Sequence, residues 1–182
     1  MIIVVGVAGS GKSTQSRMLA EVEGWRWISM GELLRAALQG DLREEMNSGK
    51  LLDDTTVQSI LTQELAKDVP QRNVILDGFP RRVVQAEWLL DAVDRMGGAI
   101  DAIVHLSAHE PIVLERLLRR GRPDDKPEAI NERFLEYEHD IKPLLELFAT
   151  HGVPIVEVNG EQHPDEVQND VRAGLEKAHI TL

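Results

Sequence analysis

Residues 2–14 read Ile2-Ile3-Val4-Val5-Gly6-Val7-Ala8-Gly9-Ser10-Gly11-Lys12-Ser13-Thr14, and this stretch decides the fold. Four consecutive β-branched residues fit a strand buried on both faces, since a half-exposed strand would alternate apolar with polar. The run stops at Gly6, and residues 6–13 satisfy G-x-x-x-x-G-K-[ST] before an amphipathic run from Thr14 to Val22. Strand, glycine loop and helix form the context in which that motif has a mechanism. Glycines let backbone N–H groups turn inward at a helix N-terminus, where the helix dipole favours an anion. Lys12 is then expected to bridge β- and γ-phosphate oxygens, and a hydroxyl of Ser13 or Thr14 to meet Mg²⁺. A turn that only joined strand to helix would explain neither the lysine nor the paired hydroxyls.

Working outward, apolar runs recur at Trp25–Ile28, Val74–Leu76, Ile100–Leu106 and Val153–Val158, with helical periodicity between them. Strands alternating with helices predict an α/β fold with a five-stranded parallel sheet. The chain of 182 residues allows one domain, 1–182, without room for a second of full size. From about Gly31 to Val57 helical pattern prevails, with breaks at Gly40, Asn47, Ser48 and Gly49, so a helical insert is expected between strands two and three. Ser107 to Glu110 before Pro111, and Asp125 to Glu128 around Pro127, each read as a capping box opening a helix. Pro164–Leu175 reads as a closing amphipathic helix.

Composition narrows the partners. Hydrophobic residues at 42% and charged residues at 28% support a packed core and give no case for disorder. Thirty-one acids against twenty bases leave −11, which argues against a nucleic-acid or anionic-membrane partner, both of which reward a basic surface. No cysteine is present, so disulfides, thiolate zinc and a cysteine nucleophile are excluded. The six histidines lack paired ligand spacing, and no zinc is expected. MIIVVG has neither a basic leader nor a long apolar run, so the expected location is cytoplasmic, and a monomer is the default. Trp25, Trp27 and Trp88 read as core or half-buried packing.

A second constellation follows the third strand as Asp77-Gly78-Phe79-Pro80-Arg81. Ligands of open parallel sheets sit past the C-terminal strand ends. Asp77 is therefore expected to face the glycine loop and hold Mg²⁺ through water, with Arg81 gripping a second phosphate and Gly78 admitting a substrate to the backbone. Fourteen of the twenty basic residues are arginine, and Arg116, Arg119, Arg120 and Arg122 fall close together in an acidic chain. Helical spacing puts Arg116, Arg119 and Arg120 on one face, with Leu114, Leu117 and Leu118 opposite against the core. Arg119 fits a solvated pairing with Glu115 equally well.

These residues carry a resemblance. The phosphate loop followed by Gln15, the run Ser29-Met30-Gly31-Glu32-Leu33-Leu34-Arg35, and Asp77 to Arg81 with Gln85 are similar to the adenylate kinase family of nucleoside monophosphate kinases. The likeness spans nearly the whole chain. It implies a three-layer P-loop fold with strand order 2-3-1-4-5, a monophosphate-binding insert over 29–58 and a short lid over 117–130, where long-lid members insert a small β-domain. It implies ATP contacts from Gly9, Ser10, Gly11, Lys12, Ser13, Thr14, Arg116, Arg120 and Gln162, the last through its backbone. Around AMP it implies Met30, Arg35, Leu52, Gly78, Arg81, Gln85, Arg122 and Arg133. Lys12, Arg81, Arg116, Arg122 and Arg133 would surround the transferring phosphoryl group, and Ser13 and Asp77 would hold Mg²⁺. Asp124 and Asp125 match lid aspartates, explained as well by capping or by pairing with arginines.

Gln85 occupies the position that reads adenine, where pyrimidine-specific relatives carry asparagine, so AMP is the expected acceptor. Two residues depart from the family pattern. Met30 replaces a usual threonine, offering a polarizable thioether in place of a donor. Ser13 replaces a usual glycine and brings a hydroxyl toward Mg²⁺. The rivals are UMP/CMP or a small hydroxylated metabolite as acceptor, and a regulator that binds adenylates without turnover. Gln85 and Arg35 speak against the metabolite, and Lys12, Asp77 and the lid arginines against the regulator.

Overall fold

The computed structural model describes residues 1–48, 52–67 and 73–182. Its strands are β1 (Ile2–Gly6), β2 (Arg26–Ser29), β3 (Val74–Asp77), β4 (Ala102–Ser107) and β5 (Ile155–Asn159). They pair in parallel in the order β2-β3-β1-β4-β5, as the resemblance implied. The helices are α1 (Lys12–Glu23), α2 (Met30–Ala37), α3 (Gly40–Asn47), α4 (Asp54–Leu65), α5 (Val83–Arg95), α6 (Glu110–Arg120), α7 (Pro127–Thr150) and α8 (Pro164–Lys177).

The β-branched run at the N-terminus explains the layering. Alternate residues of β1 face opposite ways, and all four are buried. Ile3 and Val5 join Leu61 of α4, Leu89 of α5 and Phe148 of α7 in one apolar cluster. Ile2 and Val4 join Leu19 of α1 and Val171 and Leu175 of α8 in the other. Each fully buried Leu or Phe contributes about 1.5–3 kcal/mol by leaving water. Helix α4 thus shares the main core, although its first residues fall in the expected insert. Gly40 opens α3, Asn47 ends it and Ser48 follows as its C-cap, so all three sit at helix boundaries. Gly49, the remaining expected break, lies outside the described residues.

The sequence expectations need correction at element ends. Ser107 does not cap a helix: it pairs with Asn159 as the last residue of β4, and its hydroxyl donates to Val158 O at 3.3 Å. Helix α6 begins only after His109, without a side-chain cap. Asp125 does not cap α7 either, because its carboxylate is engaged by arginine donors, and Lys126 precedes the helix. Strands β2, β4 and β5 start one or two residues later than their apolar runs, since ladder partners, and not hydrophobicity alone, set where a strand begins. On α6, Val113 and Leu117 are buried, whereas Leu118 is 49% exposed. Positions four apart share a face, and Leu118 has rotated beyond it. The tryptophans are half-buried as expected, with Trp88 edge-on to Phe79 at 6.0 Å.

Candidate active site

The sheet order gathers the functional loops at one edge. β1 lies between β3 and β4, so the loop after β1 sits at the switch point of the sheet. Register places Val4 opposite Asp77, and Ser29 opposite Asp77 on its other side. Gly6 lies opposite Leu106, so closely that a Cβ there would stand 2.3 Å from the Leu106 carbonyl oxygen. Gly11 immediately precedes α1 at φ 103°, a conformation other residues rarely adopt. Across the sheet, Gly160 N donates to Ser107 O at 2.8 Å and brings the loop after β5 against Ser10.

A cleft of about 590 Å³ opens at this edge. Every site residue expected from the sequence lines it: Gly9, Ser10, Gly11, Lys12, Ser13 and Thr14 on the loop, Met30, Arg35 and Leu52 on the insert, Asp77, Gly78, Arg81 and Gln85 after β3, and Arg116, Arg120, Arg122, Arg133 and Gln162 on the far wall. Lys12 donates from Nζ to Val7 O at 2.7 Å. Burial, with further push from Arg81, Arg120 and Arg133 against the pull of Asp77, lowers the Lys12 pKa to about 8. Ser13 Oγ donates to Asp77 Oδ2 at 2.6 Å, so a hydroxyl and a carboxylate converge beside the lysine. Oxygen donors in that number suit Mg²⁺, which takes one or two protein oxygens and completes its shell with phosphates and water. Among the described residues no trio of His, Cys, Asp or Glu gathers as a metal cage.

Helix starts position the residues that line the cleft from α2 and α5. Ser29 caps α2 by accepting from Glu32 N at 3.4 Å, which fixes Met30 as the first helical residue, 2% exposed. One turn on, Arg35 is half-buried, and burial followed by the charge of Arg122 lowers its pKa from the ordinary arginine value. It remains a cation. Arg81 donates from Nε to Gly78 O at 3.2 Å. Gln85 is buried on the first turn of α5, accepting from Arg81 N at 2.8 Å through Oε1.

Three of the cleft arginines, those on α6 and α7, are held by oxygen. Arg116 donates to Gly160 O at 2.7 Å and Glu161 O at 3.1 Å, tying α6 to the loop after β5. Arg120 grips Asp125 with Nε at 2.8 Å and Nη2 at 2.6 Å. Arg133 pairs with Asp124 at 3.0 Å. Arg119 points away and pairs with Glu115 at 2.6 Å, so the solvated reading holds for it. The Gln162 amide donates to Asp170 at 2.7 Å and Asn159 O at 3.3 Å, which turns its side chain onto α8.

Three features were not read from the sequence. Arg17 lines the cleft while stacked on Trp27, 4.8 Å from the ring centroid. Asp54 and Arg82 stand behind Gln85. Buried His105 bridges Tyr137 at 2.6 Å and Glu157 at 2.5 Å, a satisfied core histidine between α7 and β5. The second of these had a trace in the doubled Asp53-Asp54 and Arg81-Arg82, but pairing across 28 residues leaves no periodic signal.

A glycine-wrapped lysine at the switch point of a 2-3-1-4-5 sheet, faced by arginines from two directions, places the protein in the P-loop phosphotransferase class. The family model for adenylate kinase matches residues 4–153. Adenylate kinase 1 of a Nostoc species is 34% identical over 180 residues, covering 96% of this chain and 97% of that protein. Adenylate kinase of Prochlorococcus marinus is 33% identical, covering 96% of each chain. Adenylate kinase of Corynebacterium glutamicum is 31% identical over 172 residues, covering 91% of this chain and 93% of the relative. The chain belongs to the adenylate kinase family, and it is a nucleoside monophosphate kinase.

Proposed function

We propose that the chain transfers the γ-phosphoryl group of ATP to AMP, giving two ADP. The observation that carries this reading is that one cleft is lined both by the Lys12 loop and by Arg35, Arg81 and Gln85. An acceptor oxygen of the AMP phosphate forms a bond to the γ-phosphorus as the bond to the β-phosphate oxygen breaks. A phosphate monoester is largely dianionic at pH 7, with a second pKa of about 6, so the attacking oxygen carries no proton and no protein base is needed. Catalysis is then positioning and charge.

Gly9, Ser10 and Gly11 would cradle the ATP phosphates with backbone N–H groups, with Thr14 beside them, and Lys12 would neutralise the β- and γ-oxygens. An ammonium whose pKa is near 8 is mostly charged at pH 7, and phosphate would raise it further. Arg35 and Arg81 would grip the AMP phosphate, while Arg116, Arg120, Arg122 and Arg133 supply charge around the group in transfer. Arg120 and Arg133 now rest on Asp125 and Asp124, so the lid aspartates hold them ready without fully neutralising the cleft. Ser13 and Asp77 would hold Mg²⁺, which shields the phosphate oxygens when bound. Met30, Leu52 and Gln85 would form the adenine pocket, Gly78 its backbone edge, and Gln162 a backbone contact to the ATP base.

Residues 29–58 would act as the monophosphate-binding insert and 117–130 as the short lid; α6 and α7 are joined by residues 121–126, with no strand between. Closure would exclude water that otherwise competes as acceptor. We take the protein to be a cytoplasmic monomer without nucleic-acid or membrane partners; its net charge of −11 supports the absence of polyanionic partners, and among the described residues no helix is long and apolar enough to cross a membrane. A coupled assay of ADP formation with AMP, GMP, CMP, UMP and dTMP tests the assignment. The expected result is preference for AMP by at least about ten-fold, the size of one lost bidentate base contact. Preference for UMP or CMP would move the acceptor, and turnover of none would favour an adenylate-binding regulator.

A further inference from the structure

Both ends of the Gln85 amide are held from behind. Its Oε1 accepts from Arg81 N at 2.8 Å, and its Nε2 donates to Asp54 Oδ1 at 2.8 Å. Asp54 is itself held, since Arg82 Nη2 donates to the same oxygen at 2.7 Å and to Leu52 O at 2.8 Å. These partners are chemically one-way. A backbone N–H can only donate, and a carboxylate can only accept. Rotating the Gln85 amide by half a turn would aim its NH₂ at the Arg81 N–H and its oxygen at the Asp54 carboxylate, two repulsive contacts inside a side chain that is 2% exposed. Both partners therefore select the same orientation.

An amide offers two N–H donors and two carbonyl lone pairs. One of each is used behind Gln85, so one of each remains for the cleft, in an order that cannot be exchanged. Adenine presents an exocyclic amino donor beside a ring-nitrogen acceptor, whereas a 6-oxopurine presents an oxygen acceptor beside a ring N–H. The fixed amide matches the first pattern and opposes the second. We infer that Asp54, locked by Arg82, is a positioning residue that sets the donor–acceptor polarity of Gln85 and so makes the acceptor pocket reject 6-oxopurine monophosphates. This deepens the base-reading role proposed above for Gln85 and rests on it.

Asp54 has no role in phosphoryl transfer, so its removal has a distinct signature. IMP is the probe, because it carries the reversed pattern without the extra amino group of GMP. The ratio of kcat/KM for AMP to that for IMP is measured for wild type, Asp54→Ala, Asp54→Asn and Gln85→Ala, with KM for ATP and Tm alongside. Loss of a hydrogen bond to a charged acceptor predicts that Asp54→Ala lowers the AMP:IMP ratio about ten-fold or more, with KM for ATP unchanged. Asp54→Asn keeps a neutral acceptor, and its ratio should fall between the two. A merely structural role would depress both acceptors equally and leave the ratio where it was.

If Gln85→Ala collapses the ratio while both Asp54 variants keep the wild-type value, the orienting role is overturned and Gln85 remains the base reader. If Gln85→Ala also keeps the ratio, the base-reading role itself fails, and this inference with it. Should Asp54→Ala not fold, the nearly isosteric Asp54→Asn decides the matter: a ratio equal to wild type refutes the proposal.

Discussion

Asp125→Asn offers a stability test whose size and pH dependence both follow from the structure. The Asp125 side chain is wholly buried and receives Arg120 Nε and Nη2, Arg122 N at 3.0 Å, and the charge of Arg133 at 3.6 Å. Asparagine has nearly the same volume, so no cavity opens, and what changes is charge and one acceptor. Arg120 is one-third exposed and can turn to water, which limits its share to about 1 kcal/mol. The Arg122 N–H bond to a charged acceptor and the loss of charge opposite Arg133 add about 1–2 kcal/mol. The expected cost is about 2–3 kcal/mol, and at roughly 2–4 °C per kcal/mol for a chain of this length, Tm falls by roughly 4–12 °C.

Burial pushes the Asp125 pKa up, but hydrogen bonds from Arg120 and Arg122 N, with the charges of Arg120 and Arg133, outweigh it. The net value lies below the ordinary 3.8. A carboxylate lowered on folding stabilises above its unfolded pKa, and that contribution is lost as pH falls through the folded one. Urea titrations of wild type and Asp125→Asn should therefore differ by a constant amount from pH 8 to about 5, with the gap shrinking only as pH falls below the ordinary carboxylate value and on through the lowered folded one. A difference under about 0.5 kcal/mol at pH 7, the scale of an ordinary surface change, would refute the buried-counterion role, as would a gap that ignores pH.

Other outcomes follow from the same geometry. Arg81→Ala should lower kcat/KM for AMP by about 10²-fold or more, the scale of a lost charge-assisted pair, while steady-state kinetics show KM for ATP near wild type; equal losses on both substrates would count against Arg81 as an acceptor clamp. ATP binding near pH 8 should take up protons as Lys12 is driven back to its ammonium form, visible as a buffer-dependent heat in calorimetry; at pH 6, where Lys12 is already charged, that uptake should be gone and any proton exchange should be release from the phosphate. Leu117→Ala should cost about 2–5 kcal/mol by chemical denaturation, because Leu117 packs under Gly9 of the phosphate loop, whereas the neighbouring Leu118→Ala should stay within about 0.5 kcal/mol.

The contrast between Leu117 and Leu118 marks where reading the sequence stops. Three leucines near one another on a helix satisfy a periodic pattern, but which of them meets the core depends on the rotation of α6, set by Val113 and Leu117 against Gly9. Ser107 and Asp125 fail as caps for a related reason. Each side chain has a second use that competes with capping, and that use wins: for Ser107 a β5 carbonyl far along the chain, for Asp125 the arginines just before it. For Arg119 the sequence leaves two readings open, and its bond to Glu115 selects the solvated one.

What the chain encodes locally is therefore the α/β class, the glycine loop with Lys12, and the Asp77-to-Arg81 turn, because each rests on contiguous residues whose steric and hydrogen-bonding needs are met within one strand–loop–helix unit. Strand order comes from resemblance, since nothing in residues 2–6 states that β3 and β4 will flank them. Tertiary structure alone decides that Ser13 meets Asp77, that Arg120 and Arg133 rest on aspartates, and that Asp54 and Arg82 stand behind Gln85. Ser13 and Asp77, or Asp54 and Gln85, lie far apart in the chain, and even Arg120 and Asp125, five residues apart, meet only once the turn between α6 and α7 has formed; an ion pair or an oriented amide has no period along a sequence. It exists only when folding brings a donor and an acceptor to the same few ångströms and removes the water between them.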